Sequence, residues 1–436
     1  MNAESFPFWS AVPFAGLLAA IAFLPLAAPH WWHANRNKAL VSAGFALPAL
    51  VVAAVREPGS LTHAALEYTA FVCLLGSLYT ISGGIRLAGG LTGTPLSNAG
   101  LLAAGGVLAN LVGTTGASML LIRPLLEANR GRRSRVHVVV FFLFVVANVG
   151  GCLTPLGDPP LFLGFLRGVP FAWTLRLWRE WLFVGGTLLA LFFAVDSILW
   201  RREGSPAPSP SRAPMRLSGS VNVLLLFGVA TVVLASGLAV YPRYGETASL
   251  LFQSAAMSAL GAVSWAVTPR ELRRENGFSW HPLGEVAVLF AGIFVAMIPA
   301  LAILRERGAA LGVSRPWEYF WATGLLSAFL DNAPTYLSFL SLAQHLPDEV
   351  VGTTHAALEA ISCGAVFFGA MTYIGNGPNF MVKAVAEHDG VRMPSFFGYV
   401  LWSGAILLPL FAGVTVLFLR GAGTPQLSLT GGVRFG

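Results

Sequence analysis

The sequence predicts an all-α polytopic membrane protein: an inverted repeat of about ten transmembrane helices with two re-entrant hairpins and two broken helices. Three observations predict it. Of the 436 residues, 55% are hydrophobic and only 11% charged, against roughly 25% charged in an ordinary soluble domain. The apolar residues fall in runs near the roughly 20 residues that a spanning helix needs. Chemically similar interruptions recur at one fixed spacing along the chain.

That composition sets aside several classes. Disorder requires low hydrophobicity, and a disulfide framework requires many cysteines, whereas Cys73, Cys152 and Cys363 all sit in apolar runs as small hydrophobes. The net charge of +7 comes from basic residues in short loops between apolar runs, the pattern of membrane orientation rather than of nucleic-acid binding. The expected partner is therefore the lipid bilayer, with no nucleic acid and no cofactor. The residues before the first apolar run carry Glu4 and no Lys or Arg, unlike a signal peptide's positive start, so that run reads as a retained helix.

In order, apolar segments fall at about 9–29, 39–55, 63–85, 136–166, 174–200, 219–240, 247–268, 282–304, 354–386 and 395–419. Two further stretches, 96–126 and 316–345, are broken in the middle, at Gly113-Thr114-Thr115-Gly116 and at Asp331-Asn332-Ala333-Pro334. A re-entrant hairpin accounts for each, provided its tip is buried in protein or lines a cavity. With both as hairpins there are ten crossings, and 17 of the 27 Lys and Arg fall on one side. That side is cytoplasmic by the positive-inside rule, which places both termini outside in a multi-pass protein of the cell's inner (plasma) membrane.

Compared with itself, the sequence shows one offset. Glu67 and Glu285, Gly113 and Asp331, and Gly157 and Gly375 are all separated by the same interval, with no gap between one pair and the next. This divides the chain into a first repeat over 1–203, a cytoplasmic linker over 204–217, a second repeat over 218–420 and a tail over 421–436. Five crossings per copy force the second copy to enter upside down, and inverted repeats place substrate near the midplane, where discontinuous helices meet. Both copies supply such breaks, at Thr154-Pro155-Leu156-Gly157-Asp158-Pro159-Pro160 and at Tyr373-Ile374-Gly375-Asn376-Gly377-Pro378, where helix-breaking residues interrupt an apolar run.

The two hairpin tips and two broken helices are the expected site. Asp158 and Asp331 are its candidate carboxylates, since intramembrane acids are functional by default, although either can also cap a half-helix. Oxygen ligands are expected from Thr114, Thr115, Thr154, Asn332, Thr335, Asn376 and the backbone around Gly157 and Gly375. Two negative charges without a basic neighbour suit a monovalent cation such as sodium held by Asp158 and Asp331, and a desolvated carboxylate can hold a proton instead. Other residues read more plainly: Glu67 and Glu285 as structural caps or pairs, Glu359 as a structural hydrogen bond, Lys383 as an interfacial side chain. His30-Trp31-Trp32-His33 reads as an aromatic belt and Arg130-Gly131-Arg132-Arg133 as a topology anchor.

Leu330-Asp331-Asn332-Ala333-Pro334-Thr335 resembles the Asp-Asn-x-Pro-Thr hairpin motif of the ion transporter superfamily, in its D-type sodium/proton antiporter and arsenite-pump branches. Gly157-Asp158 resembles the Gly-Asp of the antiporters' first broken helix. The resemblance implies a homodimer in which a scaffold supports a moving unit of hairpins and broken helices. It also implies a secondary transporter rather than an enzyme, with a sodium/proton antiporter as the first expectation. A citrate or other organic-anion carrier coupled to sodium or protons is the alternative. The hairpin tips lack the Ser-Asn-Thr of dicarboxylate symporters, which leaves citrate open. An intramembrane aspartyl protease fits less well, since neither aspartate matches the Tyr-Asp and Gly-x-Gly-Asp pattern of that class.

Overall fold

The computed structural model describes residues 6–89, 92–204 and 216–420. Nearly all of the described chain is helical, and the strands are Arg86–Ala88 and Arg216–Ser218, which pair antiparallel. The rest of the expected linker, residues 205–215, and the tail, 421–436, lie outside the described residues.

Nine segments of the described chain are long and apolar enough to cross a membrane. The chain is a multi-pass membrane protein, and tertiary contacts show how these segments resolve into crossings. Ser220–Val267 is an antiparallel pair: Asn222 donates to Thr268 at 2.8 Å and accepts from Ser264 at 2.6 Å, whereas residues this far apart on one straight helix would lie about 60 Å from each other. Pro95–Ala128 is a hairpin, because Asn98 and Asn129 exchange bonds of 2.9 and 2.8 Å across 31 residues. The second broken helix, His355–Phe368 followed by Gly377–His388, is interrupted too early to count among the nine. Replacing the hairpin by this element and counting the pair as two gives ten crossings, as the sequence predicts.

Each break has a local cause. The first hairpin turns at Gly113, whose φ of 78° and ψ of 154° are open only to glycine without strain. The second, Pro316–Phe329 and Asn332–Ala343, turns instead through extended Leu330 and Asp331, and the Asp331 carboxylate accepts from Ala333 N–H at 3.1 Å as a helix cap. The first broken helix runs Val136–Val145, tightens into a 3-10 turn at Val149–Leu153, extends at Thr154 and restarts at Pro159–Leu166. Its counterpart tightens at Gly369–Met371, extends at Thr372 and restarts at Gly377.

The repeat spacing reappears in the contacts. Thr154 Oγ1 donates to the carbonyl of Asn110, and Thr372 Oγ1 donates to that of Ala328. Both donors and both acceptors are one offset apart, so each broken helix is clipped to its own hairpin in the same way. Half-helices begin at Pro159 and Gly377, and long helices begin at Trp178 and Phe396, again one offset apart.

Burial separates centre from periphery. In Val136–Leu153, 89% of the apolar window is buried, against 22% in Asn35–Arg56, in Phe171–Arg202 and in Ser220–Val267. The outer helices turn side chains such as Val55, Leu224 and Leu401 outward, as lipid requires. Asn35–Arg56 packs with the more buried Pro58–Ser82 and His281–Arg307, and the three are joined by a stacked Phe71–Phe290 pair, a Tyr68 bond to the Ala287 carbonyl and the Lys38–Glu285 ion pair at 2.8 Å.

Candidate functional site

The four interruptions meet on one side chain. Asp158, only 2% exposed, stands at the N-terminus of the half-helix Pro159–Leu166 without capping it. Its carboxylate points away from its own backbone. Oδ1 accepts from Thr114 Oγ1 at 2.9 Å and from Asn376 Nδ2 at 3.1 Å, and Oδ2 accepts from Asn332 Nδ2 at 2.6 Å. Thr114 comes from the first hairpin tip, Asn332 from the second and Asn376 from the second broken helix. Each discontinuous element therefore contributes one group.

The backbone makes this convergence possible at two glycines. Thr114 N–H donates to Gly157 O at 2.8 Å, drawing the hairpin tip onto the turn that precedes Asp158. A Cβ on Gly157 would stand 2.1 Å from Gly151 O, and one on Gly375 would stand 2.7 Å from Gly369 O. Side chains at these positions would push the non-helical segments off their 3-10 turns. Thr154 and Thr335 bond backbone carbonyls, those of Asn110 and Asp331, so they brace the breaks without reaching the carboxylate. Thr115 is half-buried, and among the described residues it makes no bond to Asp158.

The two aspartates differ. Asp331 lies close enough for its charge to act on Asp158, yet its own carboxylate caps Asn332–Ala343 and serves to aim Asn332 inward. Among the described residues neither aspartate forms an ion pair. Asp158 is thus held by neutral donors alone, and beside it the amide oxygen of Asn332 is buried without a donor. A carboxylate oxygen and a free amide oxygen side by side make a place for a cation or a protonated group, because both are hard acceptors.

Sequence reasoning missed the support behind Asn376. Asn376 Nδ2 also reaches Asn148 Oδ1 at 3.2 Å, Asn148 Nδ2 donates to Asn379 Oδ1 at 2.7 Å, and Asn379 Nδ2 donates to the carbonyls of Gly369 and Thr372. This amide chain ties the two broken helices together. Asn148 interrupts the apolar run Val145-Val146-Ala147, and that lone amide at membrane depth was the available signal.

The other acids singled out in the sequence are paired elsewhere. Glu67 is gripped by Arg167 at 2.7 Å, with His63 at 3.3 Å, and Glu359 pairs with Arg176 at 3.1 Å. Lys383 pairs with Glu387 at 2.9 Å. Asp196, which the sequence reading passed over at the end of an apolar run, is fully buried against Arg132 and His137.

Compared with known families, the chain matches over residues 3–419 the model of a family described as "Putative citrate transport", and it belongs to that family. No curated protein matches the chain.

Proposed function

From membership in that family, we propose that this chain is a secondary active carrier of a citrate-class organic acid, driven by a cation or proton taken at Asp158. One observation carries the reading: a buried carboxylate with no basic partner sits where two hairpin tips and two broken helices converge. Such a group changes charge state or binds an ion in step with rearrangement of those elements, which is what coupling requires. We take the two copies to be inverted, both termini to be external and the membrane to be the plasma membrane. The hairpins and broken helices then move as a body against the outer helices of a homodimer.

Sodium/proton exchange without an organic substrate is the second reading, favoured by the absence of any basic side chain on the two aspartates among the described residues. Proteoliposomes holding the purified protein separate the two. Labelled citrate uptake that depends on a cation or proton gradient supports the first. Sodium-driven proton movement without citrate uptake replaces it with the second. Normal flux of both kinds in Asp158→Asn would remove the carboxylate mechanism from either.

A further inference from the structure

A cavity with two arginines in its wall stands at the far end of two half-helices that begin at the site. Leu337 lies beyond Asn332 on the same helix, more than one helical turn along its axis. Arg167 caps the half-helix that begins after Asp158. Between them is a cavity of about 140 Å³ lined by Arg167, Arg305, Ser341 and Gln344, with Leu337 and Leu340 as apolar wall. That size is below the roughly 300–1,000 Å³ of sites for drug-sized ligands, and it suits a small acid.

The charges are unevenly satisfied. Glu67 engages Arg167 through Nε at 2.7 Å and Nη2 at 2.9 Å, which leaves the guanidinium's remaining N–H groups unused by that pair. Arg305, on the last turn of His281–Arg307, has Arg167 and Glu57 as charged neighbours, yet among the described residues it makes no ion pair or hydrogen bond. Gln344 gives its amide N–H to Val351 O, and its Oε1 is buried without a donor. The cavity thus offers guanidinium donors for carboxylates and, beside them, an unpaired acceptor suited to a ligand hydroxyl group.

We infer that this cavity is an anion-recognition site for a small hydroxy acid with two or more carboxylates, which docks on Arg305 and Arg167. Gln344 selects the hydroxyl. The inference rests on the carrier reading for its substrate class, but the site itself is measured by binding alone. It also divides the labour between the two regions: the acid's charge is met at the cavity, and the coupling ion is met at Asp158.

Isothermal titration of citrate into the protein in nanodiscs of neutral lipid tests this. Arg305→Gln should weaken citrate binding by at least about tenfold, the scale of a lost charge-assisted bond, and Arg305→Lys should recover part of it. Arg307→Gln removes a charge from the same helix end, on a residue stacked over Phe8 rather than lining the cavity, and should leave binding unchanged. Propane-1,2,3-tricarboxylate, which is citrate without its hydroxyl, should bind wild type more weakly than citrate and lose that disadvantage in Gln344→Leu. Equal weakening by Arg305→Gln and Arg307→Gln overturns the site, and equal binding of the two acids to wild type overturns the role of Gln344. If phosphatidylglycerol in the nanodisc binds through Arg305 while citrate does not bind in neutral lipid, the cavity takes a lipid headgroup and the proposal is wrong. Arg305-dependent citrate binding without any citrate uptake in proteoliposomes would instead refute the carrier reading and leave the site standing.

Discussion

Two buried aspartates in this molecule have opposite surroundings. Asp196 is gripped by Arg132 at 2.5 Å and His137 at 2.8 Å, with Asn98 at 2.9 Å. These residues tie the base of the first hairpin to the first broken helix and to Trp178–Arg202. Asp158 has only a threonine and two asparagines. A compensated buried charge holds elements in register, because breaking its pair leaves an unpaired ion in low dielectric. An uncompensated one is costly to keep and remains responsive to ions and protons. Burial alone therefore does not separate the two aspartates, whereas the charge of their partners does.

The contrast predicts a separation of effects. The largest is on transport: Asp158→Asn should cut coupled flux by about a thousandfold, equivalent to the roughly 4 kcal/mol lost when a bound cation is left without its charged ligand. It should keep the fold, since the amide oxygen still accepts from Thr114 and Asn376 while its NH2 can meet the Asn332 amide oxygen, which has no donor in the wild type. Flux per folded protein, measured in proteoliposomes beside a melting curve, checks both halves. Wild-type flux would erase the distinction between the two aspartates. If protons compete with a cation for Asp158, apparent cation affinity in the wild type should also weaken as pH falls.

Asp196→Asn should do the reverse, costing about 3 kcal/mol of stability because Arg132 is left buried with Glu203 at 3.5 Å as its remaining carboxylate. Denaturant or thermal unfolding in detergent reads this, and a melting temperature like that of wild type would show that the network does not hold the hairpin. Next in size are the glycines. Gly157→Ala should destabilise by about 2 kcal/mol and Gly375→Ala by less, since overpacking typically costs about 1–3 kcal/mol and the contacts a Cβ would make are 2.1 and 2.7 Å. A larger loss at Gly375 would mean that the two breaks are braced differently.

The smallest effect concerns Glu203, just past the end of the spanning helix. Burial by itself would push its carboxyl up, but Ser134 N–H and Arg132 hold it below the usual carboxylate range. A carboxylate held low in the folded state adds stability that is present above its unfolded value and is lost as pH falls through the folded one. Melting temperatures taken from neutral to acid pH should therefore fall more in wild type than in Glu203→Gln. Parallel curves would remove Glu203 from the network.

The places where helices break were legible because their causes are local: Gly113 for a positive φ, Pro159 and Pro378 after extended residues, and Asp331 as a cap ahead of Asn332. Composition and spacing give Asp158 and Asp331 equal weight, and nothing in either distinguishes them. The difference lies in where each side chain turns: Asp331 to the amide of Ala333, Asp158 to groups on three distant elements. The amides at Asn148 and Asn379 went unread for the same reason, since their value comes from each other.

By itself, then, the sequence determined the membrane class, the ten crossings, the two hairpins, the repeat spacing and which segments are discontinuous. These follow from apolar run length, helix-breaking residues and backbone conformational limits, all short-range properties. Only the tertiary structure decided that the four breaks share one carboxylate, that Asp196 is neutralised while Asp158 is not, and that Arg305 borders a cavity without a partner among the described residues. Each of those depends on which distant side chains fill the space around a charge, and in a low-dielectric interior that choice sets whether the charge braces the fold or remains available to an ion.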